Sequence, residues 1–276
     1  MGMRRVLLLL CLILATACSS DGGAGSEPRE ELNPADPVAL VGDWSVRADG
    51  APTETVLILR VRPAVTDLTI KMACGTVGGS WAAEARQSLF LGQVSSGSGD
   101  CFGKSGIQSV DWLRQVTGFR TDGDHPLLVD ARGATVATLT PASSTPTPRL
   151  TTSAELASSH FGEPAPLPGG ATAVSGQQLV GRWVPSGGRV PVKADTEFRS
   201  DGTWVGSDGC NGHGGRYVLG REGRLLVAAN GISTLVACES SPINQWVATA
   251  MRVGTIGAEL VFYDRTGKEL GRAVAG

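Results

Sequence analysis

Two stretches of this chain repeat one another. Gly209-Cys210-Asn211-Gly212-His213-Gly214-Gly215-Arg216-Tyr217 and Ala73-Cys74-Gly75-Thr76-Val77-Gly78-Gly79-Ser80-Trp81 both read cysteine, three residues, Gly-Gly, one residue, aromatic. A second cysteine follows at nearly the same distance in each half: Cys101 lies 27 residues after Cys74, and Cys238 lies 28 after Cys210. Leu40-Val41-Gly42-Asp43-Trp44 returns as Leu179-Val180-Gly181-Arg182-Trp183. Trp112 and Trp246 are 134 residues apart, as are Asp130 and Asp264, so the later parts align without a gap. The chain therefore reads as one module used twice, and 276 residues suffice for two cores of ordinary size.

With 38 glycines and apolar runs of only a few residues, strands and tight turns are favoured over long helices. Strand patterns cover 54–62, 67–72, 88–94 and 126–139 in the first half. In the second they cover 196–206 (a hairpin around Asp201-Gly202), 216–219, 225–229, 234–238, 260–263 and 268–274. Helical spacing marks one short helix per half, at 107–116 and 242–251. Both halves close on an Asp-x-x-Gly turn, at Asp130 and Asp264. The expected fold class is mainly β (α+β): two tandem small antiparallel β domains, 38–140 and 179–276, each with one short helix and one internal disulfide. Residues 141–178, rich in Pro, Ser and Gly, cannot bury enough apolar surface to fold alone. They read as a linker, in which 152–160 could form one or two helical turns or lie across a domain surface.

The N-terminus carries a targeting pattern. Arg4 and Arg5 precede an unbroken apolar run over 6–15, and Ala15-Thr16-Ala17 then lead to Cys18. The run is too short to cross a membrane, which takes about 20 apolar residues, and reads as a secretory signal peptide over 1–17. The cysteine after small residues resembles a bacterial lipoprotein leader, with Cys18 the acylated N-terminus and 18–37 a flexible tether. Leu14 stands four residues before Cys18, where that pattern places Leu three before. Such an export route implies a lipid-anchored protein on the extracytoplasmic face of the cell membrane. The formal charge of −2, with no basic cluster in the mature part, excludes a nucleic-acid surface.

Outside the cytosol disulfides persist. The matched spacing argues for Cys74–Cys101 and Cys210–Cys238, although two other pairings of these four remain open and both would tie the halves together. Each bridge would stabilise its domain by roughly 3.5 kcal/mol on the chain-entropy model. Cys210 with His213 is a weak metal motif: Val77 replaces the histidine in the first half, and thiolates compete poorly with oxidation there. No metal or cofactor is expected. Catalytic groups are sparse. Of three histidines, His125 sits beside a turn and His160 in the linker, and Gly206-Ser207-Asp208-Gly209 lacks the nucleophile-elbow pattern. Asp208, Glu239 and Glu259 form no matched acid–base pair. The glycines around Cys210 precede a strand, so turn geometry explains them better than phosphate binding. Asn211, His213 and Tyr217 remain as the candidate ligand or partner contacts.

The second half resembles the META/HslJ-like domain of bacterial envelope lipoproteins. The residues that carry the resemblance are 179–183, Thr196-Glu197-Phe198, Asp201-Gly202, 206–211, Gly215-Arg216-Tyr217 and 234–238; the Gly-Cys-Asn segment is the most specific. The first half is a diverged copy, with Ala73-Cys74-Gly75 in place of Gly-Cys-Asn. The resemblance implies a small antiparallel β domain with one helix, no cofactor, and a link to envelope stress or drug tolerance. The function expected is a non-enzymatic envelope lipoprotein, anchored through Cys18, that binds an envelope protein or small ligand. The alternatives are a purely structural spacer and an extracytoplasmic hydrolase.

Overall fold

A computed structural model describes residues 36–63, 65–100, 110–123, 125–142, 154–187, 193–229 and 239–276. The expected signal peptide, the expected lipidation site Cys18, most of the expected tether, Cys101, Cys238, the strand expected at 234–238 and the start of the helix expected at 107 lie outside the described residues.

The first half forms β1 (Gly42–Ala48), β2 (Val56–Arg62), β3 (Val65–Met72), β4 (Gly75–Glu84), β5 (Leu89–Gly99), α1 (Asp111–Gln115), β6 (Gly118–Asp122), β7 (His125–Val129) and β8 (Thr135–Pro141). The eight strands follow sequence order around a closed antiparallel barrel. β8 returns to β1, and a single Leu89–Gly118 pair joins β5 to β6. Alternate residues point inward, as a strand's period of two requires. Leu57 and Leu59, Leu68 and Ile70, and Val77 and Trp81 are buried together with Trp112 and Leu113 of α1.

Next come α2 (Ala154–Phe161), β9 (Thr172–Ala173) and α3 (Gly176–Leu179). The second half then forms β10 (Gly181–Pro185), β11 (Ala194–Phe198), β12 (Thr203–Asp208), β13 (Gly212–Leu219), β14 (Leu225–Ala229), α4 (Ile243–Thr249), β15 (Arg252–Ile256), β16 (Glu259–Tyr263) and β17 (Glu269–Ala275). The strand order repeats that of the first barrel, with β17 beside β10. Among the described residues its seam resembles that of the first barrel: one bridge between Arg224 and Arg252, with the Leu225 N–H donating to the carbonyl of Met251 at 3.0 Å, joins the start of β14 to β15, and β9 pairs with β15 beyond it.

The repeated residues do the same work in both halves. Trp44 Nε1 donates to the carbonyl of Leu40, and Trp183 Nε1 donates to that of Leu179, each at 2.8 Å. The second glycine of each Gly-Gly pair sits where the neighbouring strand's backbone approaches closely. A Cβ at Gly79 would lie 1.8 Å from the carbonyl oxygen of Gln93, and one at Gly215 would lie 2.2 Å from that of Ala228. Two residues on, Trp81 and Tyr217 point into their barrels.

Several elements differ from the sequence expectation. β4, β6 and β15 are strands that the pattern did not mark. β5 continues through the Gly/Ser run to Gly99, well past 94, and β13 begins at Gly212, before 216. In β4, β5 and β13 paired neighbours supply the backbone hydrogen bonds and override the low strand propensity of glycine. The stretch expected to be a linker is ordered over 154–178: α2 seats Phe161 in the first barrel's core, its ring 5.2 Å from Trp81. From there the chain crosses the second sheet, where Arg252 Nε donates to the carbonyl of Ala165 at 2.8 Å.

The two barrels pack through β4 and β5 against β13 and β14, with Leu91, Leu226 and Ala228 buried between them. Arg216, at the position of Ser80 in the first half, reaches out of β13 across this junction. Its guanidinium donates to the carbonyls of Leu113 (2.9 Å), Gly92 (3.0 Å), Val116 (3.3 Å) and Arg114. These include the carbonyls of Arg114 and of Leu113, the latter also accepting the Val116 N–H at 3.2 Å, at the C-terminal end of α1 where a cation is favoured. Burial draws the guanidinium down to about 10, so it remains a cation at neutral pH.

Candidate functional site

The Gly-Cys-Asn segment is the turn joining β12 to β13, and Asp208 builds it. Asp208 Oδ1 accepts the backbone N–H groups of Cys210 (2.8 Å) and Asn211 (2.6 Å), the side-chain-to-backbone turn that aspartate favours. The Asp208 N–H donates to the carbonyl of Asn211, and the Ser241 N–H to that of Asp208. His213 Nε2 lies 3.4 Å from Asp208 Oδ2, with the imidazole about one-third exposed and the carboxylate largely buried. Burial, the largest single influence, opposes ionisation of Asp208. The amides of Asn211 and Cys210 and the side chains of His213 and Asn211 outweigh it, and together hold the carboxyl below its usual range.

Asn211 and His213 thus meet at one rim of the second barrel. Tyr217 does not join them. It is buried in the core, edge-on to Phe198 with centroids 5.1 Å apart, and its hydroxyl donates to the carbonyl of Arg199 at 2.7 Å. Behind the rim lie two groups that the sequence reading did not single out. Asn244 of α4 is 3% exposed, Trp204 of β12 is 1% exposed, and Asn244 Nδ2 and Oδ1 and Trp204 Nε1 have no hydrogen-bond partner. Asn244 Oδ1 sits over Gly206, where a Cβ would lie 2.3 Å away, and the Trp204 indole sits over Gly215. The signal that finds Asn244 is the 134-residue offset, which aligns it with Val110.

A groove of about 520 Å³ runs along the outer face of the first barrel, lined by Arg60, Arg62, Thr66, Asp67, Ser80 and Ser96 among others. Its two arginines are already paired, Arg60 with Asp43 and Arg62 with Asp67. The hydroxyls of Thr66, Ser80 and Ser96 are donated to the carbonyls of Trp81, Ala229 and Gly78. The rim of the second barrel is therefore the stronger site. Among the described residues no three His, Cys, Asp or Glu side chains converge as metal ligands do. His125 and His160 stand apart from His213: His125 lies on β7, and His160 Nε2 is 2.8 Å from the carbonyl of Arg62.

Cys74 and Cys210 are both disulfide-bonded. Gly75 pairs with Gly99, two residues before Cys101, and the Cys210 sulfur is 3.5 Å from the carbonyl oxygen of Glu239, next to Cys238. Comparison of the chain with protein-family models, curated proteins and solved structures finds no match.

Proposed function

We propose that this chain is a non-enzymatic, extracytoplasmic binding protein, lipid-anchored through Cys18 and built from two META/HslJ-like barrels. Its contact surface is the rim turn of the second barrel. One observation carries the reading: Asp208 clamps two successive backbone amides and so presents Asn211 and His213 together at the barrel mouth on paired strands. A site held by main-chain hydrogen bonds on paired strands is preorganised, which lowers the ordering cost of binding. The bridges in this reading are Cys74–Cys101 and Cys210–Cys238. The closeness of Gly99 to Gly75 and of Glu239 to Cys210 supports them.

The test compares the wild-type head with Asn211→Ala and His213→Ala variants, each immobilised and exposed to purified envelope components. Retention that falls in both rim variants, while a control variant at exposed Val180 retains normally, is the expected result. Equal retention in all of them sinks the reading.

The alternative is a structural spacer, favoured by the Arg216 contact that welds the barrels into one body. On that reading the rim variants keep any envelope-stress phenotype, and Cys18→Ser abolishes it.

A further inference from the structure

The two barrels serve as controls for each other, because their registers match residue for residue. Gly42 pairs with Leu59 as Gly181 pairs with Phe198. Leu59 pairs with Leu68 as Phe198 pairs with Trp204, and Ile70 pairs with Val77 as Gly206 pairs with His213. Trp204, Gly206, Asp208 and His213 therefore occupy the places of Leu68, Ile70, Met72 and Val77, and the sequence offset sets Asn244 against Val110. In the first barrel all five positions are buried and aliphatic or thioether, and they join one core. The fold thus places no polar group there of its own accord. The second barrel instead has a glycine at the place of Ile70, with the Asn244 amide packed over it and an indole N–H, a carboxylate and an imidazole nearby.

Three of the polar atoms make no protein hydrogen bond: Asn244 Nδ2, Asn244 Oδ1 and Trp204 Nε1. A buried polar group left unpaired costs on the order of 1–3 kcal/mol, and apolar residues of similar size would avoid that cost. Val110 and Leu68 show that the fold accepts such residues. Retaining the amide and the indole is explained if a ligand completes them. Asn244 offers a donor and an acceptor in one plane, and its complement is another planar donor–acceptor pair. Trp204 adds a second donor. Gly206 and Gly215, which lie under the two groups, are diagonal neighbours roughly 7–8 Å apart on the sheet. An amide group with a few further heavy atoms spans that distance. His213, about one-third exposed, stands at the entrance.

We propose that the mouth of the second barrel, around Asn244 and Trp204, binds a small uncharged ligand bearing an amide, and that the first barrel lacks this site. The proposal deepens the rim reading above by placing ligand chemistry behind the rim.

The experiment titrates acetamide and N-acetylglucosamine into the full mature chain while following the six indole N–H and the side-chain amide resonances by NMR. The expected result is a saturable shift of the Trp204 indole and Asn244 amide signals with the other five indoles unmoved. Asn244→Val, which copies the first barrel, should weaken that binding by about ten- to a hundredfold while raising the melting temperature. No saturable shift with either probe in the wild type overturns the proposal, whether or not the variant folds. So does a shift that survives undiminished in Asn244→Val. Asn211→Ala separates the two ideas. If it abolishes envelope retention while neither amide probe binds the wild type, the rim reading stands and the chamber falls. If the probes bind but retention never depended on Asn211, the reverse holds.

Discussion

Asp208 is a largely buried carboxylate in which desolvation and hydrogen bonding pull in opposite directions, and hydrogen bonding wins. A folded-state pKa below the unfolded one means that the charged form stabilises the fold. That contribution is present above the ordinary carboxylate range and is lost as pH falls through the depressed folded value. Asp208→Ala strands the N–H groups of Cys210 and Asn211 and should cost about 1–2 kcal/mol at neutral pH. Asp208→Asn keeps an acceptor for those amides, so it should be nearly neutral at pH 7 yet flatten the acid limb of the stability profile. Urea midpoints measured for both variants across pH check the pair. A loss that is equal for the two at neutral pH would show that the charge, rather than the acceptor, holds the turn.

Among the elements, the Gly-Gly pair separates a residue that the strand requires from one it tolerates. A side chain at Gly79 collides with the backbone of Gln93, whereas one at Gly78 meets only the Ser96 hydroxyl at 3.1 Å, which can rotate away. Gly79→Ala should therefore destabilise by about 2 kcal/mol or more, and Gly78→Ala by under about 1. Thermal unfolding of the two single variants decides it. The same contrast explains what was legible in the sequence. β2, β3 and β16 announce themselves through alternating or continuous apolar residues. β4 and β13 are rich in glycine, and their strand character comes from pairing partners that a local pattern does not contain. The repeat was readable because its copies share residue types and spacing, and the two Asp-x-x-Gly turns because each is local in sequence. Asn211 and His213 were found through the repeat. Asn244 and Arg216 were not, because what distinguishes them is the apolar or small residue at the matching place in the other copy and, for Arg216, carbonyls about 100 residues away.

For the whole molecule, Arg216 is the buried polar tie between the halves, alongside the more exposed Arg86–Glu222 and Gln87–Arg221 contacts. Arg216→Ala removes the donor shared by four carbonyls at a buried junction, and should cost about 3 kcal/mol. Arg216→Lys recovers only part of this, since an ammonium cannot fan out to four carbonyls as a guanidinium does. Calorimetry should show a single transition in the wild type splitting into two in Arg216→Ala.

The lone bridge at the Arg224–Arg252 seam has a further consequence. Beyond that bridge β15 has a margin along which Thr172–Ala173 runs, and covering it is expected to keep the strand from pairing with a second copy. The second half expressed from Gly176 onward should sediment as larger and more concentration-dependent oligomers than the same half begun at Gly162.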